Sequence, residues 1–185
     1  QVHYPGDLGA SDFTCMNSLG VTIAGQPFDH LLYHFVLTYS NWETGEICFS
    51  ESMESLSAGV QNALFELGGV PKRHRSDRMS AAVNNGCVPE EFTRRYQALM
   101  DYYRLDAEKI QAGKANENGD IEQRHNRTKE AVDQALRLRK SRDFASREEY
   151  AAFLRAMFER LNAGRRERFE EERAKLKPLP EKRLE

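Results

Sequence analysis

Residues 28–52 read FDHLLYHFVLTYSNWETGEICFSES. Aromatic and aliphatic side chains fill 28–40, the pattern of a strand buried on both faces. NWETGE (41–46) carries turn chemistry, and ICFSES (47–52) reads as the returning strand of a hairpin. Upstream, GASDFTCMNSL (9–19) reads as another strand, with Asp12 inside it. Three strands in succession give the sheet an antiparallel start.

Downstream the period changes. Met53, Leu56, Val60, Ala63, Leu64 and Leu67 recur at helical spacing, Gly68 and Gly69 stop the helix, and Pro71 prevents its resumption. KRHRSD (72–77) is short enough for a strand ending at Asp77. Phe92, Tyr96, Leu99, Met100 and Tyr103 mark a second amphipathic helix, EKIQAG (108–113) a further strand, and NENGD (116–120) a loop. A third helix is predicted from about Ile121 to Arg139, with Asp120 as its N-cap. Strands then alternate with helices after a hairpin, so the class is α/β with a mixed sheet. Residues 1–140 form the expected core. Residues 141–185 form a helical extension, in which Ser146 and Glu149 suggest a capping box. Tyr150, Phe153, Leu154, Met157, Phe158 and Leu161 mark one stripe, which could dock on the core or on a second subunit.

The chain has 185 residues, 39% hydrophobic and 10% aromatic, as in a folded domain rather than a disordered one. Its longest apolar-rich run is too short to span a membrane, and there is no signal peptide. Cys15, Cys48 and Cys87 are scattered, which fits neither a disulfide framework nor a zinc site and points to a reducing cytosol. The chain opens on Gln1 rather than methionine, as a piece of something longer does. Net charge is -2, but Lys and Arg are absent before residue 72 while eight acids precede it. Such asymmetry suits a polyanion approached from one side, or simply a mixed solvated surface. His30 and His34 share one parity in an apolar strand and read as packed or surface residues. Tyr39, Tyr96, Tyr102 and Tyr103 read as packing residues.

Three acids stand out. Asp12 lies in the first strand, Asp77 follows three cations and a histidine within five residues, and Glu122 begins the third helix. Singly, each has a structural explanation: a backbone bond at a strand end, a turn cap, or a favourable charge near a helix N-terminus. Together, SDFT (11–14), HRSDRMSAAV (74–83) and NENGDIEQRHNRTK (116–129) resemble the catalytic core of the DDE transposases and retroviral integrases. Gly119-x-x-Glu122 is one family mark, and Lys129, seven residues after Glu122, is another. Four residues after Glu122 this chain has Asn126, where retroviral integrases carry lysine. With ELGGVPKRHRSD, SRDFASREEY and LNAGR, the fuller set is similar to IstA, the transposase of insertion sequences that also encode an AAA+ ATPase.

The resemblance implies a ribonuclease-H-like fold: a five-stranded mixed sheet flanked by helices, with the first acid on the central strand. It implies Asp12, Asp77 and Glu122 as catalytic metal ligands, for two Mg²⁺ or Mn²⁺ ions. Such ions favour hard carboxylate oxygens and, roughly 4 Å apart, can clamp the attacking and leaving oxygens of a phosphodiester. Arg75 and Arg78 are then the expected phosphate contacts, with salt bridges to the acidic half as the alternative. Glu122, His125 and Lys129, at i, i+3 and i+7, are expected to share one face, His125 and Lys129 toward DNA. The implied partners are transposon-end and target DNA, an AAA+ ATPase helper and further copies of the chain, in a bacterial cytoplasm at the nucleoid.

Overall fold

The computed structural model describes residues 2–76, 89–108 and 115–185. Asp77, Arg78 and most of the expected strand 108–113 lie outside them. Strand β1 (Leu8–Cys15) pairs antiparallel with β4 (Leu31–Leu37), which pairs antiparallel with β5 (Glu43–Cys48). On its other edge β1 runs parallel to β6 (Arg73–Ser76), and β6 parallel to β7 (Asp106–Glu108). The order β5-β4-β1-β6-β7 is a mixed five-stranded sheet with β1 at its centre. A three-stranded sheet of β3 (Gln26–Pro27), β2 (Thr22–Ile23) and β8 (Asp143–Phe144) completes the strands.

Alternation along β1 and β4 sorts side chains to the two faces. Phe13, Tyr33, Phe35 and Leu37 pack beneath helix α1 (Met53–Leu67) and helix α2 (Pro89–Tyr103). Leu56, Val60 and Leu64 of α1 are fully buried, each contributing roughly 1.5–3 kcal/mol through burial. Ser52 Oγ caps α1 by accepting the Ser55 N–H, and Gly68 closes it at φ 82°. On the opposite face Leu8, Ala10 and Val36 pack with Ile121 of helix α3 (Ala115–Arg139). Leu32 joins Val132 and Leu136 of α3 and Tyr150, Leu154, Met157 and Phe158 of helix α4 (Arg147–Ala163). The aromatic stripe of the extension therefore docks within its own chain.

Ser146 Oγ accepts the Glu149 N–H as the N-cap of α4, while the Glu149 carboxylate reaches back to the Ala145 N–H. Helix α5 (Arg166–Arg173) follows, and the chain beyond stays against the core. Lys177 exchanges two backbone hydrogen bonds with Val70, and buried Glu172 accepts the Gly6 and Ser40 N–H groups.

Two expectations are corrected. The hairpin turn lies before Glu43, not across 41–46: Leu37 N–H donates to Trp42 O, Asn41 takes φ 67°, and Trp42 is buried. NENGD is not a loop, since α3 begins at Ala115. Asn and Gly are weak helix formers, but a helix propagates readily from a packed segment, and Ile121 supplies that anchor. Asp120 is therefore inside a running helix and not its N-cap.

Candidate active site

Asp12 has the parity of Leu8 and Ala10, so it lies on the sheet face covered by α3. It is half-buried, and its Oδ1 accepts the Phe13 N–H at 2.8 Å. The parallel ladder joins Ser11 to Ser76, the last described residue of β6. The next residue in sequence after each is an aspartate, Asp12 in β1 and Asp77, which lies outside the described residues. The third acid, Glu122, is exposed on α3, directly after the Ile121 that packs on β1. Further along the same helix, Lys129 donates from Nζ to Cys15 O at 2.9 Å. Lys129 thus reaches the C-terminal end of the central strand that carries Asp12, and Glu122 rides on the helix laid along it.

Not all the expected cations face outward. Arg75 pairs with Ala10 across the ladder and is 5% exposed. His125 is also 5% exposed. At about 100° per residue it stands roughly 60° around α3 from Glu122, enough to turn it into the core. In this arrangement neither side chain is on the surface, where a phosphate contact needs it. Arg73, not singled out in the sequence, pairs with Asp7 (2.6 Å) and Glu108 (3.3 Å). Arg78 lies outside the described residues.

His125 belongs to a buried polar chain that the sequence did not reveal. His125 Nδ1 lies 2.5 Å from His34 Nδ1. His34, the cross-strand partner of Asp12, places Nε2 2.9 Å from Glu43 Oε1, which Thr128 Oγ1 also reaches at 2.7 Å. Arg165 binds the other Glu43 oxygen. Burial pushes the Glu43 carboxyl up, but hydrogen bonds from His34 and Thr128 and the nearby positive charge outweigh it and hold it down to about 2. For His125, burial disfavours the charged imidazolium and lowers it to about 2. Two histidines in an apolar strand and an acid beside Trp42 were the available signal, because buried polar groups need partners. On the opposite face, buried His74 bridges Ser11 Oγ (2.6 Å) and Tyr96 OH (2.6 Å), and burial lowers it to about 3.

Among the described residues no three His, Cys, Asp or Glu side chains form a metal-binding group. Asp12 and Glu122 are hard oxygen donors on one side of the sheet, and Asp77 directly follows β6 in sequence. This donor set fits a Mg²⁺-type ion rather than a soft one.

Sheet order, helix placement and the position of Asp12 define a ribonuclease-H-like fold of the integrase-core type. The catalytic core of HTLV-2 integrase, solved with magnesium in a dimeric form, has a TM-score of 0.60 at 14% identity, covering 88% of this chain and 90% of that one. A chain of the simian T-cell lymphotropic virus intasome, solved with the PP2A regulatory subunit B56 gamma, gives 0.63 at 14% identity, over 88% of this chain and 50% of that one. The BIV integrase catalytic core gives 0.56 at 14%, over 85% and 84%. In sequence, the chain is 46% identical to an uncharacterized protein, y4jA/y4nE/y4sE, of Sinorhizobium fredii, over 99% of its own length. It spans 37% of that relative. No family model matches the chain. No helix among the described residues is long and apolar enough to cross a membrane.

Proposed function

We propose that this chain is the catalytic core of a DDE-type polynucleotidyl transferase, and specifically of an IstA-like insertion-sequence transposase. The observation that carries the reading is Asp12 on the central strand of an integrase-core fold, beneath the helix that bears Glu122. Asp12, Asp77 and Glu122 would hold one or two Mg²⁺ or Mn²⁺ ions. Bound there, the metal would stabilise charge on the attacking and leaving oxygens of a phosphodiester. Asp12 and Glu122 contribute charge and oxygen donors from a strand and a helix that pack together, so their backbones are fixed before substrate arrives. Lys129 and Arg78 would meet DNA phosphates, which position the duplex without reading its sequence. The reaction is hydrolysis at the transposon 3′ end, followed by attack of the freed hydroxyl on target DNA. Transposon-end and target DNA, further copies of the chain and an AAA+ ATPase helper are the partners in this reading, the last on the resemblance to IstA alone.

The test is a divalent-metal-dependent strand-transfer assay with the full-length protein and its own element's ends. Asp12→Asn, Asp77→Asn and Glu122→Gln should each lower joining by about 10³-fold or more, the rate equivalent of several kcal/mol of lost charge stabilisation. Cleavage without joining in the wild type would instead identify a metal-dependent nuclease. Wild-type joining by Glu122→Gln would sink the assignment of the third acid.

A further inference from the structure

The buried chain through His125 does not end in the core. Glu43 is gripped from the far side by the extension: Arg165 binds its carboxylate and Asn41 O, and Asn162 brackets its backbone. Asn162 Oδ1 accepts the Glu43 N–H at 2.9 Å, and Asn162 Nδ2 donates to Glu43 O at 2.8 Å. The Phe158 ring of α4 stacks on His34, centroids 6.2 Å apart. An ionised carboxylate can only accept, so His34 Nε2 donates to Glu43. His34 Nδ1 and His125 Nδ1 share the next hydrogen bond of the chain. Glu43 accepts from both sides, from His34 and Thr128 on one and from Arg165 on the other, and so joins α3 through the hairpin to the extension.

We propose that residues 162–165 of the extension hold α3 in register through Glu43, His34 and His125, so that the extension positions Glu122 over the central strand. Arg165, Glu43, His34 and His125 are positioning residues in this scheme, and the extension is part of the catalytic unit rather than an appendage. The physical basis is the cost of an orphaned partner. Remove Arg165, and a buried carboxylate loses its cation while still holding His34 and Thr128, so the bonds that fix α3 must rearrange. Glu122 lies one turn before His125 and nearly two turns before Thr128, so a shift in this segment moves Glu122 with it. The inference rests on the reading of Glu122 as a catalytic acid.

Hydrogen exchange of the full-length protein, wild type against Arg165→Ala, tests the coupling without relying on activity. Exchange of α3 amides from Ile121 to Lys129 should rise by about tenfold, the mark of easier local opening. Amides of α1, on the other face, should not change, and Arg165→Lys should restore much of the protection. In strand-transfer assays the same variant should need several-fold more Mg²⁺ for half-maximal rate, by an order-of-magnitude argument from displaced ligands, with KM for DNA unchanged. Unchanged α3 exchange overturns the proposal. So does an equal rise in α1 and α3, which would mean that the ion pair only adds global stability. Should Arg165→Ala fail to fold, Asn162→Ala is read by the same criteria. A wild type inactive in strand transfer would reject the transposase reading, while the exchange pattern would still decide the coupling.

Discussion

Glu43 and Glu122 are carboxylates on the same side of the sheet, yet their surroundings assign them opposite work. Glu43 is buried, fully partnered and held ionised, which suits a structural anion. Glu122 is exposed on the helix over the central strand, as its proposed role as a metal ligand requires. Millimolar Mg²⁺ should therefore raise the melting temperature, because a ligand that binds only the native state stabilises it. Asp12→Asn should abolish that rise, and a shift that survives it would show that Asp12 is no ligand. His74 carries a separate prediction. It stays neutral in the fold down to about 3, whereas an unfolded histidine takes up a proton near 6.5. Between those values the unfolded chain binds the extra proton, so stability falls as pH drops, by about 1.4 kcal/mol per pH unit for this residue. Urea titrations at pH 6 and 5 should show the loss, and His74→Gln, which keeps a polar group near Ser11, should remove that share of the slope.

At the scale of elements, α1 and α3 differ in what fixes their starts. The α1 period and its stop were legible because the stripe, Gly68 and Pro71 all agree, and the structure adds the Ser52 cap. Ser52→Ala should cost about 1 kcal/mol through the lost cap, measured by denaturant midpoint. For α3 the sequence signals conflict with the fold. Its apolar contact at Ile121 carries the helix back through residues that favour turns. Asp120→Ala should therefore change stability by no more than about 0.5 kcal/mol, as substitutions away from caps and core do. A loss as large as a missing cap gives would mean that α3 begins at Asp120 after all.

Across the whole molecule, the tail is a strap. Gly69 allows its approach: a Cβ there would stand 2.8 Å from Leu176 Cβ, and Leu176, Leu179 and Leu184 pack against the α1 side of the core. Gly68 and Gly69 are thus adjacent for different reasons, one for its left-handed backbone and one for space. Gly69→Ala should cost about 1–3 kcal/mol and speed proteolysis of the segment after Arg173; unchanged cleavage would count against the strap. The charge asymmetry also belongs to this scale. Part of the basic half is absorbed internally, as Arg73 on Asp7 and Arg165 on Glu43 show. For DNA, Lys129→Ala with Arg78→Ala should reduce the salt slope of binding by about 0.9 for each phosphate left without its cation, with little change in sequence preference. An unaltered slope would place the DNA elsewhere.

Local pattern by itself determined the three antiparallel strands, helix α1, the apolar stripe of α4 and the mixed character of the sheet, but not the short strands β2, β3 and β8. Those features depend on hydrophobic period and on glycine, proline and serine placed within a few residues. Asp12 and Glu122, each of which has a structural explanation taken singly, stood out only through the family resemblance, and the structure sets the first on the central strand and the second on the helix above it. Only the tertiary structure decided that His125 and Arg75 turn inward and that α3 starts before its predicted loop. It alone joined Glu43, which reads in sequence as part of a turn, to a buried chain running from α3 to Arg165. These depend on contacts between residues 91 to 122 positions apart. Whether a polar residue on an amphipathic helix meets water or a buried partner is set by what the rest of the chain lays against it, and a one-dimensional period cannot encode that.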